Sequence, residues 1–153
     1  MAMIPMLGDR ADAGLDEPLL GVPRVLIVDE AVPVVRTLRE ILHRLGIARE
    51  DVVHASTPAE ALAWFTGESP HVVFAEFIGT HNEDGLEVIH EMLERAPDAK
   101  VILLTAEGRD CPEVRAALRA GIFAHVEKPI RMDKVRAVMQ DVAAEEGNIE
   151  RYK

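Results

Sequence analysis

Short apolar segments alternate five times with helix-like segments between Arg24 and Ala144, and this alternation constrains the fold more than any other feature of the sequence. The apolar segments are partly β-branched and only four to six residues long, which is typical of strands covered on both faces. Strands that alternate with helices form a parallel sheet with helices on both sides. The strands are predicted at about Arg24–Val28, Val52–Ala55, His71–Glu76, Lys100–Leu104 and Phe123–Val126, and the helices at about Val32–Leu45, Pro58–Thr66, Leu86–Arg95, Pro112–Ala120 and Met132–Ala144.

The connections between these segments leave few possible topologies. Crossovers between parallel strands are right-handed, and the order 2-1-3-4-5 is one of the two common doubly wound orders. The sequence therefore predicts an α/β fold, a flavodoxin-like doubly wound sheet of five parallel strands with five helices. We assign residues 23–145 to this domain. Residues 1–22 are predicted to be a flexible tail, and residues 146–153 a polar tail or the stub of a linker.

Two helix ends carry recognisable local signals. Gly46 follows the first predicted helix, where a left-handed residue commonly ends a helix. The second helix begins with Thr57, Pro58 and, two positions further, Glu60. A threonine followed by proline at the first helical position and glutamate at the third indicates a capping box.

Composition excludes several classes of function. The net charge of -10 and the pI of about 5.0 disfavour direct binding to nucleic acid. A single cysteine, Cys111, excludes an internal disulfide and fits a reducing compartment. No apolar run approaches the roughly 18 residues of a membrane span, and the acidic N-terminal segment does not read as a signal peptide. We therefore expect a cytoplasmic protein that does not enter membranes.

Polar residues follow four of the apolar segments at the point where each strand should end. They are the pair Asp29-Glu30, then Glu76, Thr105 and the pair Lys128-Pro129. In an open parallel sheet such strand ends meet at one edge, and ligands bind there. The sequence thus predicts one polar cleft that combines carboxylates, a hydroxyl and an amine.

This order of residues resembles the receiver domain of two-component response regulators, and the resemblance covers about Val22–Ala144. It implies that Glu76 stands where relatives have the aspartate that accepts a phosphoryl group. It also implies a Mg²⁺ site and a set of switch residues, since phosphoryl transfer requires a hard cation and donors on the phosphoryl oxygens. In that reading Asp29, Glu30, Glu76 and the backbone of Ile78 surround the metal, Lys128 before a cis proline binds the phosphoryl group, Thr105 is the switch hydroxyl and His125 the rotating aromatic switch.

Glu76 is the main departure from the family pattern. Its carboxylate stands about 1.5 Å further out than an aspartate's, toward the place of the phosphoryl group itself. There it could pair with Lys128, hydrogen-bond Thr105 and imitate or replace phosphorylation. The loop Phe77–Gly85 also departs, since it lacks the usual proline and is one residue longer. Binding of Mg²⁺ is therefore expected to be possible, but weak or lost.

The resemblance implies a non-enzymatic protein that works by binding a signalling partner, a sensor kinase or a downstream effector, with a homodimer also possible. The expected partner face comprises the fourth helix, the fifth strand and the fifth helix. Its apolar and basic residues are Val114, Arg115, Arg119, Ile122 and Arg136.

Other readings remain open from the sequence alone. The cleft residues could persist only as a polar plug at the sheet edge. The chain could be a working phosphoacceptor that uses Glu76 or Asp84, although a longer side chain misplaces the in-line geometry. A flavodoxin-like cofactor binder and a dimerisation module of a larger regulator are further alternatives, of which the cofactor binder lacks a phosphate-binding loop after the first strand.

Overall fold

The structure is a computed structural model, and it describes residues 24–66, 69–76 and 82–145. Within these described residues, five strands alternate with five α-helices, and a short 3-10 turn at Arg49–Asp51 precedes the second strand. The predicted tails, residues 1–22 and 146–153, lie outside the described residues. The elements are β1 (Val25–Val28), α1 (Val32–Arg44), β2 (Val52–Ala55), α2 (Pro58–Ala63), β3 (Val72–Ala75), α3 (Asn82–Arg95), β4 (Lys100–Thr105), α4 (Pro112–Ala120), β5 (Ala124–Glu127) and α5 (Met132–Glu145).

All strand pairs are parallel, and the strand order is β2-β1-β3-β4-β5. The predicted fold class and strand order are therefore confirmed. Every residue of the central strands β1 and β3 is buried, because helices cover both faces of the sheet. This explains why those strands are continuous apolar runs rather than alternating ones.

Two hydrophobic cores lie on opposite faces of the sheet. One joins alternate strand residues such as Ile27 and Phe74 to α1 and α5, and the other joins Leu26 and Val73 to α2, α3 and α4. Because successive side chains of a strand point to opposite faces, the four-residue strands β1, β2 and β3 each supply both cores, whereas the edge strand β5 supplies only the core with α1 and α5. The sheet edge that carries the polar residues is thus held by packing on both sides.

The two helix-end signals in the sequence are confirmed. Gly46 follows α1 with a φ of 103°, a conformation that only glycine adopts without strain. Thr57 caps α2, since its Oγ1 accepts a hydrogen bond from the Glu60 amide at 3.2 Å. Glu60 in turn accepts from the Ser56 amide at 2.9 Å, so the reciprocal bond reaches the residue before the cap.

Several boundaries differ from the sequence prediction. Helix α3 begins at Asn82 rather than Leu86, because its first turn, Asn-Glu-Asp-Gly, has no apolar periodicity from which a helix could be predicted. Helix α2 ends at Ala63 rather than Thr66, and β5 is shifted by one residue. In the part of the chain that the structure describes, no helix is both long and apolar enough to cross a membrane.

Two residues of the predicted partner face do not lie on the surface. The side chain of Val114 is fully buried and that of Ile122 is 6% exposed, and both belong to the core that joins α2, α3 and α4 to the sheet. On an amphipathic helix the apolar positions face the sheet, so Val114 packs inward while Arg115 stays exposed. The partner-face prediction is therefore wrong for Val114 and Ile122.

Candidate functional site

The strand register brings the predicted polar residues to one edge of the sheet. Val28 of β1 pairs with Ala75 of β3, so that Asp29 and Glu76, one residue further along each strand, come side by side. The Glu76 amide donates to the Val28 carbonyl at 2.9 Å. On the other side, the Lys128 amide donates to the Thr105 carbonyl at 2.7 Å. The cleft therefore combines the ends of β1, β3, β4 and β5.

Lys128 is the cation of this cleft. Its Nζ lies 3.4 Å from Asp29 Oδ2 and 3.6 Å from Glu76 Oε2. The Asp29 side chain is 1% exposed, whereas those of Lys128 and Glu76 are each 23% exposed. One ammonium group thus serves two carboxylates at the mouth of the cleft, and the expected pairing of Glu76 with Lys128 is confirmed. The cis peptide expected between Lys128 and Pro129 is also present.

Asp29 is fixed at four points. Its amide donates to the Ala55 carbonyl at 3.2 Å, and its Oδ1 accepts from the Ala31 amide at 2.8 Å. Its carbonyl oxygen lies 2.8 Å from His54 Nε2, and since a carbonyl can only accept, the imidazole donates. The fourth contact is the ion pair of its Oδ2 with Lys128. Together these contacts hold the Asp29 side chain in one position in the cleft. His54 was not among the predicted site residues, and its place on β2 opposite Ile27 becomes visible only from the strand register.

The carboxyl group of Glu76 has a shifted pKa. Burial raises the pKa of its carboxyl, and the Asp29 and Glu30 carboxylates raise it further, while the Lys128 ammonium lowers it. The net shift is upward, which means that the lysine does not fully offset the loss of water and the neighbouring negative charge. The carboxylate of Glu76 is therefore held at an energetic cost.

Thr105 is buried but does not serve Glu76. The residue is only 1% exposed, and its Oγ1 accepts a hydrogen bond from the Glu107 amide at 2.9 Å. Within the described part of the chain, no hydrogen bond joins Thr105 to Glu76, so the expected bond is not formed. A threonine hydroxyl readily bonds the amide two residues later, and at the end of β4 this local turn uses the hydroxyl.

The described residues alone do not form a metal centre. Glu30 is exposed, and Lys128 lies between the carboxylates of Asp29 and Glu76, where a bound cation would otherwise neutralise them. Among residues 24–66, 69–76 and 82–145, no three His, Cys, Asp or Glu side chains are grouped to hold a metal ion. Ile78, the predicted backbone ligand, lies outside the described residues.

The remaining predicted site residues lie on the β4–β5 side of the sheet. His125 is half-buried in β5, where it pairs with Leu103. Arg115, Arg119 and Arg136 are exposed on α4 and α5. These three arginines remain as the exposed part of the predicted partner face.

Comparison with known proteins gives a consistent result. The family described as "Response regulator receiver domain" matches residues 25–140. The photosynthetic apparatus regulatory protein RegA of Rhodovulum sulfidophilum is 29% identical over 117 residues, which are 76% of this chain and 61% of RegA. A chemotaxis protein CheY homolog of Campylobacter jejuni is 27% identical over 121 residues, 78% of this chain and 91% of the homolog.

Solved structures have the same architecture. A response regulator from Thermotoga maritima superposes with a TM-score of 0.70 at 25% identity, covering 80% of this chain and 98% of the other. NtrX from Brucella abortus, in complex with ATP, superposes with a TM-score of 0.70 at 23% identity over 82% of this chain. The match covers only 28% of NtrX, so the likeness concerns one domain of that protein and its fold alone.

Proposed function

Because the chain belongs to the response regulator receiver domain family, we propose that it is an atypical receiver of two-component signalling in which Glu76 replaces phosphorylation. In this proposal Glu76 stands at the acceptor position, and the protein acts by binding a sensor kinase or a downstream effector rather than by catalysis. The observation that supports it most is the Lys128 ammonium lying between Asp29 and Glu76, 3.4 and 3.6 Å from their oxygens. The Glu76 carboxylate already forms an ion pair with Lys128, the residue that would otherwise bind an incoming phosphoryl group.

One structurally similar protein has a phosphorylated aspartate with which Glu76 can be compared. A response regulator from Burkholderia pseudomallei, 25% identical with a TM-score of 0.65, contains a phosphorylated aspartic acid and a calcium ion. In our proposal Glu76 takes the place of such an aspartate. Its carboxylate stands about 1.5 Å further out, so that it is poorly aligned for in-line attack on phosphorus but well placed to pair with Lys128.

Replacement of the phosphoryl group is electrostatic and incomplete. The ion pair with Lys128 supplies the charge contact, whereas the Thr105 hydroxyl remains bonded to the Glu107 amide. We therefore propose that Glu76 fixes one state of the cleft without recruiting Thr105. Partner binding would use the exposed arginines Arg115, Arg119 and Arg136, with the half-buried His125 as the aromatic switch.

Phosphodonor labelling tests the acceptor position. Wild type, Glu76→Asp and Glu76→Gln are incubated with acetyl phosphate, with and without Mg²⁺, and the intact mass is measured. We expect no uptake by wild type or Glu76→Gln and one phosphoryl group on Glu76→Asp, only when Mg²⁺ is present. Uptake by wild type would show a working phosphoacceptor, and no uptake by Glu76→Asp would show that the cleft has lost more than its acceptor.

NMR spectra test whether Glu76 replaces the phosphoryl group. Amide shifts of α4, β5 and α5 are compared among wild type, Glu76→Gln and phosphorylated Glu76→Asp. If the charge of Glu76 sets the state of this face, wild type lies closer to the phosphorylated variant than Glu76→Gln does. If wild type and Glu76→Gln have the same shifts on this face, the carboxylate does not control it.

A further inference from the structure

We propose that the acidic N-terminal segment, residues 9–17, docks onto a groove between α1 and α5 of the same chain. The groove has a volume of about 320 Å³ and is lined by Arg36, Thr37, Glu40, Ile41, Arg44 and Met132. We refer to it as the α1–α5 groove. It lies on the face of the sheet away from α4 and is separate from the acidic cleft.

The charge of the groove favours an acidic occupant. Arg36 and Arg44 are exposed, and within the described residues neither forms an ion pair. Among the described residues that line the groove, the only acid is Glu40, which is paired with Arg49 at 3.1 Å. Two guanidinium groups are therefore available above an apolar floor of Ile41 and Met132. Guanidinium groups are well suited to carboxylates because they can donate two parallel hydrogen bonds.

Residues 9–17 have the complementary composition. The stretch Asp-Arg-Ala-Asp-Ala-Gly-Leu-Asp-Glu contains four acids and one basic residue, with small or apolar side chains between them. The basic residue, Arg10, is near the N-terminal end of the segment, away from the domain. The segment therefore offers carboxylates to Arg36 and Arg44, and alanine and leucine side chains to the apolar floor.

The spacing of the acidic residues in the segment matches the spacing of the two arginines in the groove. Arg36 and Arg44 are eight residues apart on a helix, which corresponds to about 12 Å along its axis. Asp12 and Asp16 are four residues apart, which in an extended chain corresponds to about 13–14 Å. One extended stretch can therefore place a carboxylate at each guanidinium group.

The direction of α1 and the length of chain between the segment and Arg24 also allow this docking. Helix α1 returns along the sheet opposite to β1, so Arg44 lies at the same sheet edge as Arg24. Seven steps along the chain from Arg24 back to Glu17 reach at most about 23–25 Å, while layers in a domain lie about 10 Å apart and a helix is about 10–12 Å across. Asp16 can thus reach Arg44, and the earlier Asp12 then lies toward Arg36. A docked segment would cover the outer face of α1 and limit access of another protein to it.

Paramagnetic relaxation in the full chain tests this docking. A spin label is attached at Gly14→Cys in a Cys111→Ser background, and amide broadening is measured by NMR. We expect broadening along α1 and at the start of α5, with loss of the effect in Arg36→Glu/Arg44→Glu and at about 1 M NaCl, where charges are screened beyond about 3 Å. The matched control is Arg115→Glu/Arg119→Glu, an exposed arginine pair on α4, which should keep the broadening.

A charge exchange makes the result specific. Asp12→Arg/Asp16→Arg should lose the broadening, and its combination with Arg36→Glu/Arg44→Glu should restore it. Failure of the combination to restore the effect, or no broadening of α1 in the labelled chain, overturns the proposal. A mixing experiment shows whether the segment in the groove comes from the same molecule or from another. Spin-labelled protein with natural-abundance nitrogen is mixed with ¹⁵N-labelled protein that has no spin label. Broadening in the ¹⁵N-labelled protein would show a second copy in the groove and overturn the intramolecular assignment.

Discussion

At the scale of single residues, Lys128 sets the electrostatics of the cleft, since within the described chain it is the cation that contacts both Asp29 and Glu76. We predict that Lys128→Met lowers the free energy of unfolding by about 1–3 kcal/mol, because it leaves a buried carboxylate oxygen of Asp29 without its charged partner. Urea unfolding measures this change. Lys128→Arg keeps the charge and serves as the control, and a Lys128→Met protein as stable as wild type would contradict the role of the lysine.

Glu76 should make stability depend on pH. Burial raises the pKa of the Glu76 carboxyl in the folded protein, so between its ordinary pKa in the unfolded chain and the higher pKa in the folded protein the native state binds more protons than the unfolded state. The free energy of unfolding should therefore fall as pH rises through this window, and the loss should be complete above the folded pKa. Urea unfolding of wild type and Glu76→Gln across this range measures it, because the glutamine variant lacks this loss. Parallel pH profiles of the two proteins would refute the assignment.

Val114 and Arg115 are neighbours in sequence with opposite environments. Val114 is fully buried in the core beneath α4, whereas Arg115 is exposed. We predict that Val114→Ala lowers the free energy of unfolding by about 1–3 kcal/mol through lost burial and a cavity. Arg115→Ala should change it by less than about 0.5 kcal/mol. Thermal or urea unfolding of both variants checks this, and equal effects would contradict the burial of Val114.

At the scale of elements, the start of α2 depends on Thr57, whose hydroxyl oxygen accepts from the Glu60 amide. We predict that Thr57→Ala costs about 0.5–2 kcal/mol of stability, because one amide of the first turn loses its acceptor. Thr57→Ser retains the hydroxyl and should stay close to wild type in the same urea unfolding experiment. If the serine variant loses as much as the alanine variant, the hydrogen bond is not the cause.

The sequence predicted elements well where their signals are local. Gly46 and Thr57 each determine a helix end through their own backbone or side chain, and both signals are confirmed. The 3-10 turn at Arg49–Asp51 and the first turn of α3 were not predicted, since neither has an apolar period. Short irregular turns depend on contacts with distant parts of the chain, which a periodicity analysis does not contain.

For the candidate site, the sequence predicted which strand ends meet but not how each hydroxyl and imidazole is used. Glu76 and Lys128 pair as expected, because the parallel strands end at the same side of the sheet and the long lysine side chain reaches across β4, which lies between β3 and β5. Thr105 instead bonds the Glu107 amide, and His54 bonds the Asp29 carbonyl. Such short polar contacts are decided by a side chain's rotamer and its nearest backbone groups, which strand order does not specify.

At the scale of the whole molecule, the cleft depends on the complete sheet. Asp29 follows the central strand β1, whereas Lys128 follows the edge strand β5. The packing that positions them involves both cores, because α5 belongs to one and α4 to the other. A change in either core can therefore alter the distance between the lysine and the two carboxylates without touching the cleft.

Asp29 and Lys128 are 99 residues apart in the chain, and this separation has a consequence in time. A ribosome that adds about 5–20 residues per second needs roughly 5–20 s to proceed from the aspartate to the lysine. Throughout that interval the nascent chain contains Asp29, and for part of it Glu76, without the amine that later joins them. Completion of the acidic cleft therefore waits for synthesis of the fifth strand, and its ion pairs report that this strand has joined the sheet.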